Sequence, residues 1–260
     1  MKMTMRVPRI LSVAAVLAAG GATAVRALDD EAPRLTARSK GVAATYVTTL
    51  RHGFTVHVDQ RLLAGQRVVG DEALAELDRQ LAQIERKVRA APLEELRAIP
   101  IWLGVDDPVA PCACYHPSPE WLRQNGFDPQ KAKAVEIANA ASFSSWTREQ
   151  PWMVLHELAH GFDDRRLSAG DGPGSQGARL EELFAAAKAA GRYDEVLHWN
   201  GEPARHYALN TSDEYFAEAT EAWFGCNDFF PFVQAELLRH DPALAAFLRE
   251  VWGEPITSRG

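Results

Sequence analysis

The chain has 260 residues, of which 47% are hydrophobic and 24% charged, a balance that suits one good-sized globular domain and excludes large-scale disorder. Its formal charge is 28 − 35 = −7, and an acidic chain is a poor partner for nucleic acid or an anionic membrane. No internal repeat or low-complexity tract is present.

Lys2, Arg6 and Arg9 give the N-terminus a basic opening, residues 10–19 a short apolar core, and small residues follow, with candidate cleavage sites after Ala24 and Ala27. The apolar run is too short to span a bilayer comfortably. Residues 1–27 therefore read as a signal peptide, cleaved on export to the periplasm, envelope or medium. Its removal takes away four basic residues and leaves 24 − 35 = −11. Residues 28–45 are polar and irregular, an expected flexible lead-in. No later stretch has the length and apolarity of a membrane span.

Residues 46–260 are expected to form a single domain. Phe54, Val56 and Val58 alternate in residues 53–63, which predicts a strand with His52 and His57 on its surface. Leu74, Leu77, Leu81, Ile84 and Val88 recur at helical spacing and predict an amphipathic helix over 71–90, opened by Asp71. A further helical turn is expected at 92–97, a buried strand at 99–105, a proline-rich loop at 106–119, a short helix at 121–125 and a strand at 134–138. The edge of that last strand is placed to pair with an extended peptide. Residues 139–145 then lead to the helix that contains PWMVLHELAHG (151–161). Pro151 is tolerated only in a first turn, so this helix is expected to start at 147–150. A loop at 168–177 follows, then a helix at 179–190, a hairpin over 195–209 bent at Asn200-Gly201, and a helix at 211–225 opened by Thr211 or Ser212. Two closing helices are expected at 230–240 and 242–252. The sum is α+β, a small mixed sheet with a helical C-terminal half.

Cys112, Cys114 and Cys226 are an odd count for an exported protein. A direct Cys112–Cys114 bridge closes a small strained ring, so pairing of either one with Cys226 is the leading expectation. The alternatives are a small metal site, C-x-C-x-H with His116 and no identified fourth ligand, or three unpaired thiols.

The chemistry concentrates in H-E-x-x-H. His156 and His160 are four residues apart and share one helical face, so both imidazoles can reach one metal ion. Glu157 stands beside them as a base for an attacking water. This pattern predicts a zinc peptidase and divides the domain into an α/β part over 46–130 and a catalytic core over 131–260. A third protein ligand is needed. Its candidates are His198, His206, Asp213, Glu214, Glu218 and Glu221, and spacing alone does not choose among them. Asp163, Asp164 and Glu218 are candidate partners for a zinc histidine's second nitrogen.

The segment Glu214-Tyr215-Phe216-Ala217-Glu218-Ala219, with H-E-L-A-H upstream and Tyr207 seven residues before Glu214, resembles the catalytic domain of anthrax lethal factor and its relatives, zinc endopeptidases of the gluzincin group. The resemblance covers 150–225. It implies a zincin-like fold, Zn2+ held by His156, His160 and Glu214, Glu157 as general base and Tyr207 as oxyanion donor. It also implies that Glu218 orients a zinc histidine and that the substrate is a protein or peptide. The 54 residues from His160 to Glu214 (214 − 160) exceed the spacing of the simplest gluzincins, and an inserted helix and hairpin must fit there. Two other readings share the site: a secreted zinc-containing binding domain without catalysis, and a zinc hydrolase acting on a non-peptide amide such as a cell-wall crosslink. A purely structural zinc has no use for Glu157, which weighs against the first.

Overall fold

The computed structural model describes residues 44–106, 113–170 and 172–257. The signal-peptide reading, all but two residues of the lead-in, and Cys112 lie outside them. The first element is a hairpin of β1 (Tyr46–Arg51) and β2 (Phe54–Asp59), turned by His52 and Gly53, both at positive φ. β1 is mostly polar and exposed, and its sequence carries no clear apolar alternation. The strand expected over 53–63 stops early, because the Asp59 side chain accepts from Arg61 N–H and starts the helical turn α1 (Gln60–Leu63).

α2 (Arg67–Lys87) is the expected amphipathic helix, shifted towards the N-terminus, with Leu74, Leu77, Leu81 and Ile84 on its buried face. α3 (Ala90–Arg97) and β3 (Ile101–Leu103) follow as expected. The stretch 106–119 is not all loop: it contains β4 (Ala113–Tyr115). Three residues among prolines are too few to show a period, and β4 is a strand because it pairs with a later one. α4 (Pro119–Gln124) precedes that partner, β5 (Val135–Ile137).

The five strands form one sheet in the order β1-β2-β3-β5-β4. β2, β3 and β5 are parallel, and the two outer strands are antiparallel to their neighbours. β5 is paired on both sides, so the expectation of a free edge there is corrected: that edge belongs to β4. Register places Val56, Ile101, Val135 and Tyr115 in one row and Val58, Leu103, Ile137 and Ala113 in the next. All eight are buried in the core. Strand alternation turns His57, Trp102, Glu136 and Cys114 to the opposite face. Because β5 lies inside this sheet, a boundary at 130/131 would cut through it.

The approach to H-E-x-x-H is itself helical. α5 (Ala140–Glu149) is capped by Asn139, whose side chain accepts from Ser142 N–H. A residue before proline is pushed out of the α region. Gln150 accordingly sits at φ −120°, ψ 84°, ends α5, and α6 (Met153–Phe162) starts afresh. The expected start at 147–150 is corrected on that ground. α6 passes through Gly161 and widens into a π-helical turn at Asp163–Leu167. A Cβ on Gly161 would stand 2.6 Å from Ile99 Cδ1 and 2.9 Å from the Tyr115 ring. Glycine here lets α6 lie against the sheet.

The helical half comprises α7 (Gln176–Ala189), the hairpin β6 (Val196–Leu197) and β7 (Pro203–Ala204), α8 (Ser212–Phe224), α9 (Gln234–His240) and α10 (Pro242–Trp252). Residues 207–209 form a 3-10 turn rather than more hairpin. α8 packs along α6. A Cβ on Gly225, just past α8, would fall 1.8 Å from the Trp152 indole nitrogen, just before α6. The end of α8 thus meets the start of α6, and the two run antiparallel. Phe162 of α6 and Phe216 of α8 both pack on Trp252 of α10, with centroids 4.3 and 5.5 Å away. Burying each of these rings contributes roughly 1.5–3 kcal/mol. No helix among the described residues is long and apolar enough to cross a membrane.

Candidate metal centre

His156 and His160 project from one face of α6, one turn apart, towards the first turn of α8. That turn is fixed by Thr211, whose hydroxyl accepts from Glu214 N–H at 3.2 Å. Thr-x-x-Glu is a capping-box sequence, but the Glu214 carboxylate is directed at the histidines. Glu214 Oε2 lies 3.1 Å from His156 Nε2 and 3.3 Å from His160 Nε2, and the two nitrogens are 3.1 Å apart. Ligands of a tetrahedral zinc, at its usual bond lengths, stand about 3.3–3.4 Å from one another. The three groups therefore fit zinc with no more than small adjustments, and His198, His206, Asp213, Glu218 and Glu221 are not in this set of three.

Charge reinforces the arrangement. Burial opposes ionisation of Glu214, but His160 and His156 outweigh it and hold the carboxyl far below its usual range. Burial likewise opposes protonation of His156, yet its bonds to Glu214 and Glu221 hold its pKa well above the ordinary value. His160 is raised in the same way through Glu214, again against burial. Protons consequently compete with a metal for both rings.

Glu157, next to His156 in sequence, is 7% exposed. Its Oε2 accepts from Tyr115 N–H at 2.8 Å, on the outer edge of β4. Burial raises its pKa while His156 and His160 pull against that rise. Tyr115 also donates from its phenol to Asp164 at 2.6 Å, and Lys133 binds the same carboxylate. Asp163 is buried and accepts from the Ser168 hydroxyl at 3.0 Å. Asp164 is thus engaged by Tyr115 and Lys133 and not by the histidines of the trio.

The partner of His156 Nδ1 is Glu221, at 2.8 Å and fully buried; Gln150 donates to the same carboxylate oxygen at 2.7 Å. Glu218, to which the resemblance assigns this task, stands 3.8 Å from Nδ1, outside hydrogen-bond range. Its pKa is raised well above the usual carboxylate value by burial and then by Asp228. His206 is buried, accepts from Ala208 N–H and approaches Glu218 at 3.8 Å. Tyr207 opens the 3-10 turn that packs on α8, and is half-buried.

Two site groups escape a sequence reading altogether: the Tyr115 N–H, because β4 has no period, and Gln150, because its conformation follows from the next residue. Glu221 is visible as the third acid of the 214-218-221 stripe, but not in its role. Among the described residues no cross-link joins Cys114 to Cys226, whose Sγ–H is directed at Asn227 O at 3.3 Å. His116 lies in the loop just past β4, as expected, and is buried beside Glu136.

No protein-family model matches the chain, and neither does any curated protein or solved structure.

Proposed function

We propose that the chain is an exported zinc metallopeptidase with a zincin-like core, in which His156, His160 and Glu214 are the metal ligands, Glu157 the general base and Tyr207 the oxyanion donor. The observation that carries this reading is the convergence of His156 Nε2, His160 Nε2 and Glu214 Oε2 at 3.1–3.3 Å, with the Glu157 carboxylate adjacent on the same helix. When bound, zinc supplies Lewis acidity to the attacking water and to the scissile carbonyl.

The remaining work falls to the chain. The Tyr115 N–H fixes Glu157 Oε2, so Glu157 takes the proton from the water and returns it to the leaving amine. Tyr207 donates from its phenol to the negative charge that develops on the carbonyl oxygen. Just past β4 the backbone of His116 bonds with Ala134 and Lys133 towards β5, so the Ala113 backbone groups and the Tyr115 carbonyl face outward, the Tyr115 N–H being taken by Glu157. A peptide laid along that edge would exchange main-chain hydrogen bonds beside Glu157.

The test compares the chain with Glu157→Gln in zinc content and in cleavage of a peptide library. Retention of one zinc with loss of cleavage in the variant supports the assignment. Zinc in both and cleavage in neither moves the non-peptide hydrolase and binding-domain readings ahead, and zinc in neither overturns the centre itself.

A further inference from the structure

We propose that Cys114, His116 and Glu136 hold a second metal ion, a zinc with one thiolate ligand, on the face of the sheet turned away from α6. The inference does not depend on the peptidase reading. Cys114 lies in β4, His116 follows the strand with its N–H bonded to Ala134 O, and Glu136 is the cross-strand partner of Cys114 on β5. His116 Nε2 lies 3.7 Å from Cys114 Sγ and 2.7 Å from Glu136 Oε2. One ligand atom from each residue falls within 4.8 Å of the others, and all three residues are buried.

A sulfur and a nitrogen bound to one tetrahedral zinc stand about 3.6 Å apart, so the Cys114–His116 separation already fits. The His116–Glu136 distance must open by roughly 0.7 Å, from a hydrogen bond to a pair of ligands, which is a side-chain adjustment. Lys131 holds the other carboxylate oxygen, Oε1, and leaves Oε2 turned to the imidazole. An outer partner of this kind orients a single-oxygen carboxylate ligand. The Glu136 contact places the His116 ring proton on Nε2, and metal binding there moves it to Nδ1, which is buried with no hydrogen-bond partner among the described residues. Thiolate with imidazole favours zinc over magnesium or calcium. On binding, the sulfur–metal bond forms as the Cys114 thiol releases its proton to solvent.

Such an ion would clamp β4 to β5. β4 is only three residues long, and its Tyr115 N–H fixes Glu157 at the outer edge. With three protein ligands the ion would keep an open fourth position, and its site lies across the sheet from the H-E-x-x-H centre.

The experiment is metal analysis after zinc loading, together with absorption spectra after Co2+ loading, on the full chain and its Cys114→Ser, His160→Ala and Cys226→Ser variants. The H-E-x-x-H centre has no sulfur ligand, so a thiolate-to-cobalt charge-transfer band reports a cysteine bound to metal, and the variants tell which one. The expected result is two zinc ions in the wild type and one in Cys114→Ser, with the band lost only in that variant. His160→Ala should lose one zinc and keep the band. If the H-E-x-x-H centre binds nothing, the wild type holds one zinc and still shows the band, which separates the two proposals. A cobalt-loaded wild type without the band overturns the second site without recourse to any variant. Loss of the band in Cys226→Ser overturns it as well.

Discussion

Glu221 offers the sharpest test of how this centre is built. Its carboxylate is 0% exposed, takes His156 Nδ1 at 2.8 Å and receives Gln150 at 2.7 Å on the same oxygen. Removing the outer partner of a metal-bound histidine typically costs 10–100-fold in metal affinity, about 1.4–2.7 kcal/mol. Glu221→Gln keeps an acceptor but loses the charge that roughly doubles such a bond, so its effect belongs near tenfold; Glu221→Ala removes both and belongs near 100-fold. Glu218→Gln should behave differently. The carboxyl is beyond hydrogen-bond reach of Nδ1, and burial with Asp228 nearby already favours its neutral form. A neutral amide of the same shape should change affinity by less than about threefold. The assay is competition for zinc against a chromophoric chelator at fixed pH, starting from metal-free protein. If Glu218→Gln weakens zinc binding as much as Glu221→Gln does, the role stays with Glu218 and the geometry has been misread.

Three further outcomes follow from the same geometry. Tyr207→Phe should retain zinc and lower kcat by roughly 10²–10³ with little change in KM, the usual cost of an oxyanion donor; an unchanged kcat would remove Tyr207 from the reaction. Gly161→Ala places a Cβ against Ile99 and the Tyr115 ring and should destabilise the fold by about 1–3 kcal/mol in denaturant melts; a neutral result would mean that α6 does not lie this close to the sheet. Zinc uptake should release protons at pH 7, because the His156 pKa is raised in the metal-free chain and protonated imidazole must deprotonate to bind. Affinity then falls as pH is lowered, by up to tenfold per unit for each proton displaced, and calorimetry in buffers of different ionisation enthalpy counts the protons. A proton count of zero would contradict the raised His156.

Periodicity carried the long elements. The Leu74-Leu77-Leu81-Ile84 face of α2 and the apolar runs of α8 and α10 are legible because each repeats over several turns. β4 shows the opposite case: it is three residues long, and Ala-Cys-Tyr among prolines is a strand only because Val135–Ile137 lies beside it. The break between α5 and α6 is hard to see for a different reason. Pro151 itself is compatible with a first helical turn, while its structural consequence falls on Gln150, which the proline ring pushes out of the helical region.

In the inner set, His156 and His160 follow from their spacing on one helical face, whereas Glu214 is singled out from Asp213, Glu218 and Glu221 only by the motif resemblance. The outer set depends on how α6 and α8 are offset, which no single helix encodes. On α8 the acids 214, 218 and 221 lie along one stripe, and each is chemically able to face a histidine. The antiparallel pairing decides among them. Trp152 at the start of α6 meets Gly225 at the end of α8, so moving back along α8 means moving forward along α6. Glu221 then falls level with the Nδ1 side of His156, and Glu214, two turns earlier, falls between His156 and His160. Glu218 lies between these levels and meets neither nitrogen at bonding distance. The contact between Gly225 and the indole thus sets the register of the centre. Any residue larger than glycine at 225 must move Trp152 or slide α8, and either change should disturb the Glu221–His156 bond before it disturbs the three metal ligands.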